Sequence, residues 1–163
     1  MRHVTQMRQR SPERQQEVID STSRAIIEQL QQDGRRSYAA IGQAVGLSEA
    51  AVRQRVQRLT ETGVMQIVAV TDPMQIGFSR MALIGICVNG DLQQAAQTVE
   101  QIGAVSYVVM TAGQYDLLAE VVCEDDAQLL EVLSAIRRSG DVTRTETFVY
   151  LKVRKQIYTW GTR

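Results

Sequence analysis

Apolar residues recur with a helical period through the first third of the chain, and with alternating strand and helix periods after it. Ile26, Ile27 and Leu30 stand at i, i+1 and i+4, which makes one apolar face of a helix. Asp20 precedes them as an N-cap and Gly34 ends the pattern, so a first helix is predicted between the two. Ser37 can cap a short second helix carrying Ala40, Ile41 and Ala44, and Gly46 supplies the permissive backbone for a sharp turn after Val45. Ser48 caps a third helix. There Val52, Val56 and Leu59 fall at i, i+4 and i+7 and face inward, Glu49, Ala50, Arg53, Gln54 and Gln57 share the outward side, and Gly63 closes the helix.

From Val64 the pattern changes. Met65 to Val70 is short, β-branched and partly alternating before Asp72-Pro73 breaks it, which reads as a strand and a hinge. Met81 to Val88 is a nearly continuous apolar strand, and Asp91 caps a helix with a stripe of Leu92, Ala95, Ala96, Val99 and Ile102. Val105 to Thr111 and Leu117 to Cys123 are strands, Asp125 or Asp126 caps a helix with Leu129, Val132, Leu133 and Ile136, and Thr145 to Val153 is a fourth strand. The order β-α-β-β-α-β predicts a ferredoxin-like sandwich, an antiparallel sheet with both helices on one face. Phe148 and Tyr150 alternate with Val149, Leu151 and Val153, so both faces of the sheet are apolar, and a large exposed apolar face marks an interface. A homodimer through this domain is expected. The fold class is therefore α+β: a winged-type helix-turn-helix followed by the βαββαβ sandwich. The expected divisions are an arginine-bearing arm at 1–17, the three helices at 18–64, a strand and hinge linker at 65–79, the sandwich at 80–155 and a tail at 156–163.

Composition narrows the function. A 44% apolar content suits packed cores, and no apolar run approaches the roughly 18 to 20 residues that span a bilayer, so a protein that stays in the cytoplasm, with no membrane partner, is expected. Cys87 and Cys123 form no C-x-x-C pattern and have no histidine nearby, which suggests buried thiols rather than a metal site or disulfide. The only histidine is His3, and neither a G-x-x-x-x-G-K-[ST] nor a G-x-G-x-x-G loop occurs, so an enzyme is not expected and no cofactor or metal is implied. The acids Glu124, Asp125 and Asp126 stand where a helix begins and complement its dipole. Thr145 to Lys152 lacks the basic-Gly-aromatic pattern of an RNA-binding strand.

Net charge is zero, but residues 34–60 hold Arg35, Arg36, Arg53, Arg55 and Arg58 against Glu49 alone. This local excess reads either as a phosphate-facing patch or as a solvated helix face. Two helices joined by a tight glycine turn set the second at the angle by which a recognition helix enters a major groove of double-stranded DNA. Glu49, Ala50, Arg53, Gln54 and Gln57, with Ser48 at the helix start, then lie near base edges or flanking phosphates, where arginine can pair with guanine and glutamine with adenine. Arg35, Arg36, Arg55 and Arg58 sit at helix edges and suit phosphates, although Arg55 and Arg58 can equally pair with Asp20 or Glu61.

Asp20, the Leu30 to Arg35 run, Val45-Gly46-Leu47-Ser48 and the Val52, Arg55, Val56, Leu59 spacing ending in Gly63-Val64 resemble the helix-turn-helix of the Lrp/AsnC regulators. Thr111-Ala112-Gly113-Gln114-Tyr115-Asp116 is similar to that family's Thr/Ser-Gly-x-x-Asp loop, with an alanine inserted before the glycine. Ile67-Val68 stand where the family often has Gly-Tyr. The resemblance spans residues 18 to 155. It implies a transcription regulator, dimers pairing through the sandwich and often forming larger discs, and an amino-acid effector bound between dimers. Thr111, Gly113, Gln114, Tyr115 and Asp116 would contact that effector, Asp116 taking its ammonium and the loop amides its carboxylate. Read alone, Gly113 also suits a turn glycine and Asp116 a turn-capping or strand-end residue. An architectural DNA-binding protein and a metabolite sensor acting on a protein partner are the alternative functions.

Overall fold

The computed structural model describes residues 19–159, 161 and 162; the predicted arm at 1–17 lies outside them. The chain divides into two compact units, one holding the described residues through Ala69 together with those from Lys155 onward, the other Val70–Arg154.

The first unit is three helices, α1 (Ser21–Gln32), α2 (Tyr38–Val45) and α3 (Glu49–Glu61). Each begins at the predicted cap: the side chains of Asp20, Ser37 and Ser48 accept the amides of Ser23, Ala40 and Ala51, satisfying donors that a helix start leaves without partners. Ile26, Leu30, Ile41, Val52 and Val56 form the core, with Tyr38, Val45, Leu47 and Met65 packed around it. Gly46 ends α2 at φ 73°, a left-handed conformation that side chains with a Cβ resist. Gly42 performs a second task that the pattern did not announce. A Cβ there would stand 2.5 Å from the Leu47 carbonyl oxygen, so α2 and the turn touch backbone to backbone. From the end of the fold the chain returns to this unit, where the Gly161 amide donates to Gln31 Oε1 at 3.1 Å.

The second unit is β1 (Arg80–Val88), α4 (Leu92–Glu100), β2 (Val105–Met110), β3 (Leu117–Cys123), α5 (Asp126–Arg137) and β4 (Val142–Val149). Its sheet runs β2-β3-β1-β4 with every pairing antiparallel, the ferredoxin-like order of two interlocked β-α-β halves. Ala82, Ile84 and Ile86 of β1 and Leu117, Ala119, Val121 and Cys123 of β3 meet Ala95, Val99, Leu129, Val132 and Ile136 of the two helices in one core. Burying such side chains is the main stabilising term, about 1.5 to 3 kcal/mol for each large one. Asp125 is the α5 cap, accepting from the Gln128 amide at 2.8 Å, and Asp126 pairs with Arg80. Two of the three clustered acids are thus engaged in structure.

Two expectations are corrected. Residues 65–70 form no strand. Ile67, Val68 and Val70 are exposed: a strand needs a ladder partner and none of the described residues supplies one. The fourth strand is Val142–Val149 rather than 145–153. Its ladder with β1 ends at the Ala82–Val149 pair; the Tyr150 amide still bonds Met81 O, but no further pairing is made although β1 itself continues to Arg80, and Leu151 is 97% exposed.

Candidate nucleic-acid interface and effector loop

Three turns of α3 separate its faces. Val52, Val56 and Leu59 are buried, whereas Glu49, Ala50, Arg53, Gln54 and Gln57 are exposed. On the exposed side Arg53 Nη2 donates to Glu49 Oε1 at 2.7 Å, and its guanidinium lies over the Tyr38 ring at 5.2 Å. Gln57 Nε2 donates to Glu61 Oε1 at 2.8 Å. Arg35 and Arg36 stand in the turn between α1 and α2, the Arg35 amide bonding Asp33 Oδ1. Arg58 is exposed. Ser48 engages its hydroxyl as the α3 cap.

Arg55 points elsewhere. Its guanidinium donates to Asp20 Oδ2 at 2.6 Å and to Ser23 Oγ at 3.1 Å, tying α3 to the start of α1, so of its two readings the structural one matches the geometry. The Arg55 bond, with those from the Ser23 amide and hydroxyl, holds the Asp20 carboxyl at about 2, below its usual 3.8. A depressed folded-state value stabilises above the unfolded pKa and is lost as pH falls from about 4 to 2. Asp20→Asn, which keeps a capping side chain, is expected to lower the melting temperature of the helical unit at neutral pH. The deficit should vanish near pH 2, and parallel melting curves of the two proteins from pH 2 to 7 check it.

The loop joining β2 to β3 is clamped at several points. The Thr111 amide bonds the Asp116 carbonyl at 2.9 Å and its hydroxyl bonds the Tyr115 carbonyl. The Asp116 carboxylate accepts the Val88 amide through Oδ2 at 2.8 Å, and the Asp116 amide bonds Ile86 O at 2.9 Å. Asp116 therefore ties the loop to β1. Around Gly113 the space is open, with nothing within 4 Å of a Cβ placed there, and Gln114 is exposed.

Tyr115 leaves the loop and lies on the sheet face away from the helices. Its ring covers Gly85, whose Cβ would meet three ring carbons at 2.7 to 2.8 Å. The hydroxyl donates to Glu146, Phe148 meets the ring edge-on with centroids 6.2 Å apart, and the Arg144 guanidinium stands 5.7 Å from its centre. The Glu146 bond raises the Tyr115 phenol above its usual 10. On the same face Tyr150 donates to Glu120 at 2.8 Å; burial first, then that carboxylate, pushes its phenol up to about 12. Tyr107, on β2, is exposed there with Phe148. Sequence reasoning singled out Tyr115 for the loop but missed Gly85, Arg144 and Glu146, because their meeting depends on strand register.

Two family models match the two parts of the chain. Residues 19–60 match the AsnC-type helix-turn-helix domain and residues 81–160 the Lrp/AsnC ligand binding domain. The chain belongs to the Lrp/AsnC family. It is a transcription regulator with a helix-turn-helix and a ligand-binding domain. An HTH-type transcriptional regulator of Pyrococcus furiosus is 30% identical over 141 residues, 85% of this chain and 93% of that protein. The leucine response regulatory protein of Mycobacterium tuberculosis superposes with a TM-score of 0.76 at 28% identity, covering 84% of this chain and 95% of that one. A transcriptional regulator of Neisseria meningitidis, solved in complex with L-Met, has the same fold, with a TM-score of 0.74 at 22% identity over 87% of this chain and 96% of that one. Among the described residues no helix is long and apolar enough to cross a membrane.

Proposed function

We propose that this Lrp/AsnC regulator reads a specific operator through the outward face of α3 and answers to a small amino acid held by the 111–116 loop at a subunit boundary. It acts in the cytoplasm, on the nucleoid, as a homodimer through the outer sheet face and as a larger assembly of such dimers. The observation that carries the DNA reading is the division of α3, with three apolar side chains in the core and five side chains at base-reading positions exposed. Arg53, Gln54 and Gln57 are the base readers, with Glu49 and Ala50 beside them. Arg35, Arg36 and Arg58 serve phosphates, and Ser48 presents the start of α3. Arg55 acts indirectly, by fixing α3 against α1. Homodimer formation is supported by the exposed aromatic side chains Tyr107 and Phe148 on the sheet, since exposed apolar surface favours a partner.

The effector reading is supported by the ligand-binding domain match, by the L-Met complex of the Neisseria relative and by the open surface at Gly113 and Gln114. Loop amides near Gly113 would take the carboxylate and Asp116 Oδ1 the ammonium, while Oδ2 stays on Val88; Thr111 and Tyr115 hold the loop in shape. Fluorescence anisotropy of the protein on duplex from upstream of its own gene, against a shuffled duplex, with and without each amino acid, tests both parts. A preference of about 10³ or more for the native duplex is expected, shifted by one or a few amino acids in the wild type and by none in Asp116→Asn. Equal binding to both duplexes overturns the operator reading, and an intact response in Asp116→Asn overturns the effector assignment.

A further inference from the structure

We infer that Tyr38 is a positioning residue for base reading: with Glu49 it holds the Arg53 guanidinium as a rigid fork that selects a guanine in the operator. The inference rests on the operator reading above and adds which base is selected and which residues set it. Arg53 is a long exposed side chain, and a free arginine would spend rotamer entropy on every hydrogen bond it forms. Here two contacts from different directions restrain it. Glu49, one helical turn earlier, takes Nη2 at 2.7 Å, and the Tyr38 ring lies 5.2 Å beneath the guanidinium carbon. Tyr38 is itself fixed, being the first residue of α2 and packed against the helical core.

The same geometry decides what Arg53 reads. A carboxylate beside the guanidinium repels a fully charged phosphate more than the uncharged edge of a base. Nη2 carries a second hydrogen and Nη1 two more, so a pair of parallel donors remains for guanine N7 and O6, the pairing that arginine makes best. The cation–π contact with an aromatic face restrains this planar group while leaving its donors free. Arg55, two residues on, shows the contrast: its donors go to Asp20 and Ser23, inside the protein.

Binding sites are selected from a pool of random duplexes with the wild type, Arg53→Ala, Tyr38→Phe, Tyr38→Leu and Glu49→Gln. Preference for guanine over adenine at each motif position is then measured by competition. The wild type is expected to show a guanine position that Arg53→Ala loses. Tyr38→Phe, which keeps the ring face, should preserve it. Tyr38→Leu should weaken that preference about 2- to 5-fold, the range of an exposed cation–π contact, and Glu49→Gln by up to about 5-fold, the range of an exposed ion pair, with the other positions unchanged. Unaltered preference in Glu49→Gln, an exposed and foldable change, overturns the inference, as does a loss in Tyr38→Leu spread evenly over all positions. A wild type that selects no motif overturns the operator reading itself, and a motif in which Arg53→Ala loses a base other than guanine overturns this inference alone.

Discussion

Gly42→Ala is expected to destabilise the helix-turn-helix by about 2 kcal/mol or more and to lower operator affinity at least tenfold, leaving the ferredoxin-like unit folded. The new methyl group would stand 2.5 Å from the Leu47 carbonyl oxygen and 3.4 Å from its carbon. Both are backbone atoms in a turn held by the 2.9 Å bond from the Leu47 amide to the Gly42 carbonyl, so no side-chain rotation relieves the contact. Alanine favours a helix over glycine by about 1 kcal/mol, but overpacking against an immovable neighbour costs about 1 to 3 kcal/mol and more where the backbone must shift. The shift also falls just ahead of Ser48, which caps α3. Moving the turn re-aims the outward face of α3, and a misplaced base pairing is worth about 1 to 3 kcal/mol. Thermal melts and anisotropy on the selected operator measure the two effects. A variant matching the wild type in both would mean that the turn can open without moving α3.

Gly85→Ala is expected to have the second largest effect, on the ligand-binding unit. A Cβ there meets the Tyr115 ring over three carbons at 2.7 to 2.8 Å, and the ring must leave the sheet. Leaving removes its bond to Glu146 and its contacts with Phe148 and Arg144, and frees the loop residue between Gln114 and Asp116. The cost expected for such overpacking is about 1 to 3 kcal/mol. A second readout identifies the cause. The Glu146 bond raises the Tyr115 phenol above 10, so in the variant one tyrosine should move to earlier ionisation in an ultraviolet pH titration, while Tyr150, at about 12, stays late. An unshifted titration would mean that the ring still lies on the sheet. The rearranged loop is also expected to weaken the response to an amino acid. DNA binding without effector should not change, since α3 belongs to the other unit.

Much of this fold was legible from local chemistry. Asp20, Ser37, Ser48, Asp91 and Asp125 each cap the helix that follows, because a short polar side chain ahead of an apolar stripe can act only on the amides next to it in sequence. The periods of 3.6 and 2 separate core from surface on α3 and on β3, where buried and half-buried residues alternate without exception. The outward set on α3 followed from the same period. The extent of β4 did not, because which residues pair with β1 is set by register between distant segments and not by the local pattern. Residues 65–70 carry strand-like side chains, yet form no strand without a partner to share a ladder.

The sequence by itself thus determined the order of elements, their caps, their inward faces and the outward face of α3, all of which arise from interactions within about four residues. The tertiary structure alone decided that Arg55 turns to Asp20, 35 residues away, that Gly42 must lack a side chain because Leu47 lies against it, and that Gly85 is the bed of the Tyr115 ring. It also decided that the Asp116 carboxylate ties the loop to Val88, 28 residues earlier. These are meetings between segments whose distance is set by packing and strand register. No spacing along the chain records them, because burial of the core chooses which backbones approach, and side chains then pair with whatever that approach presents.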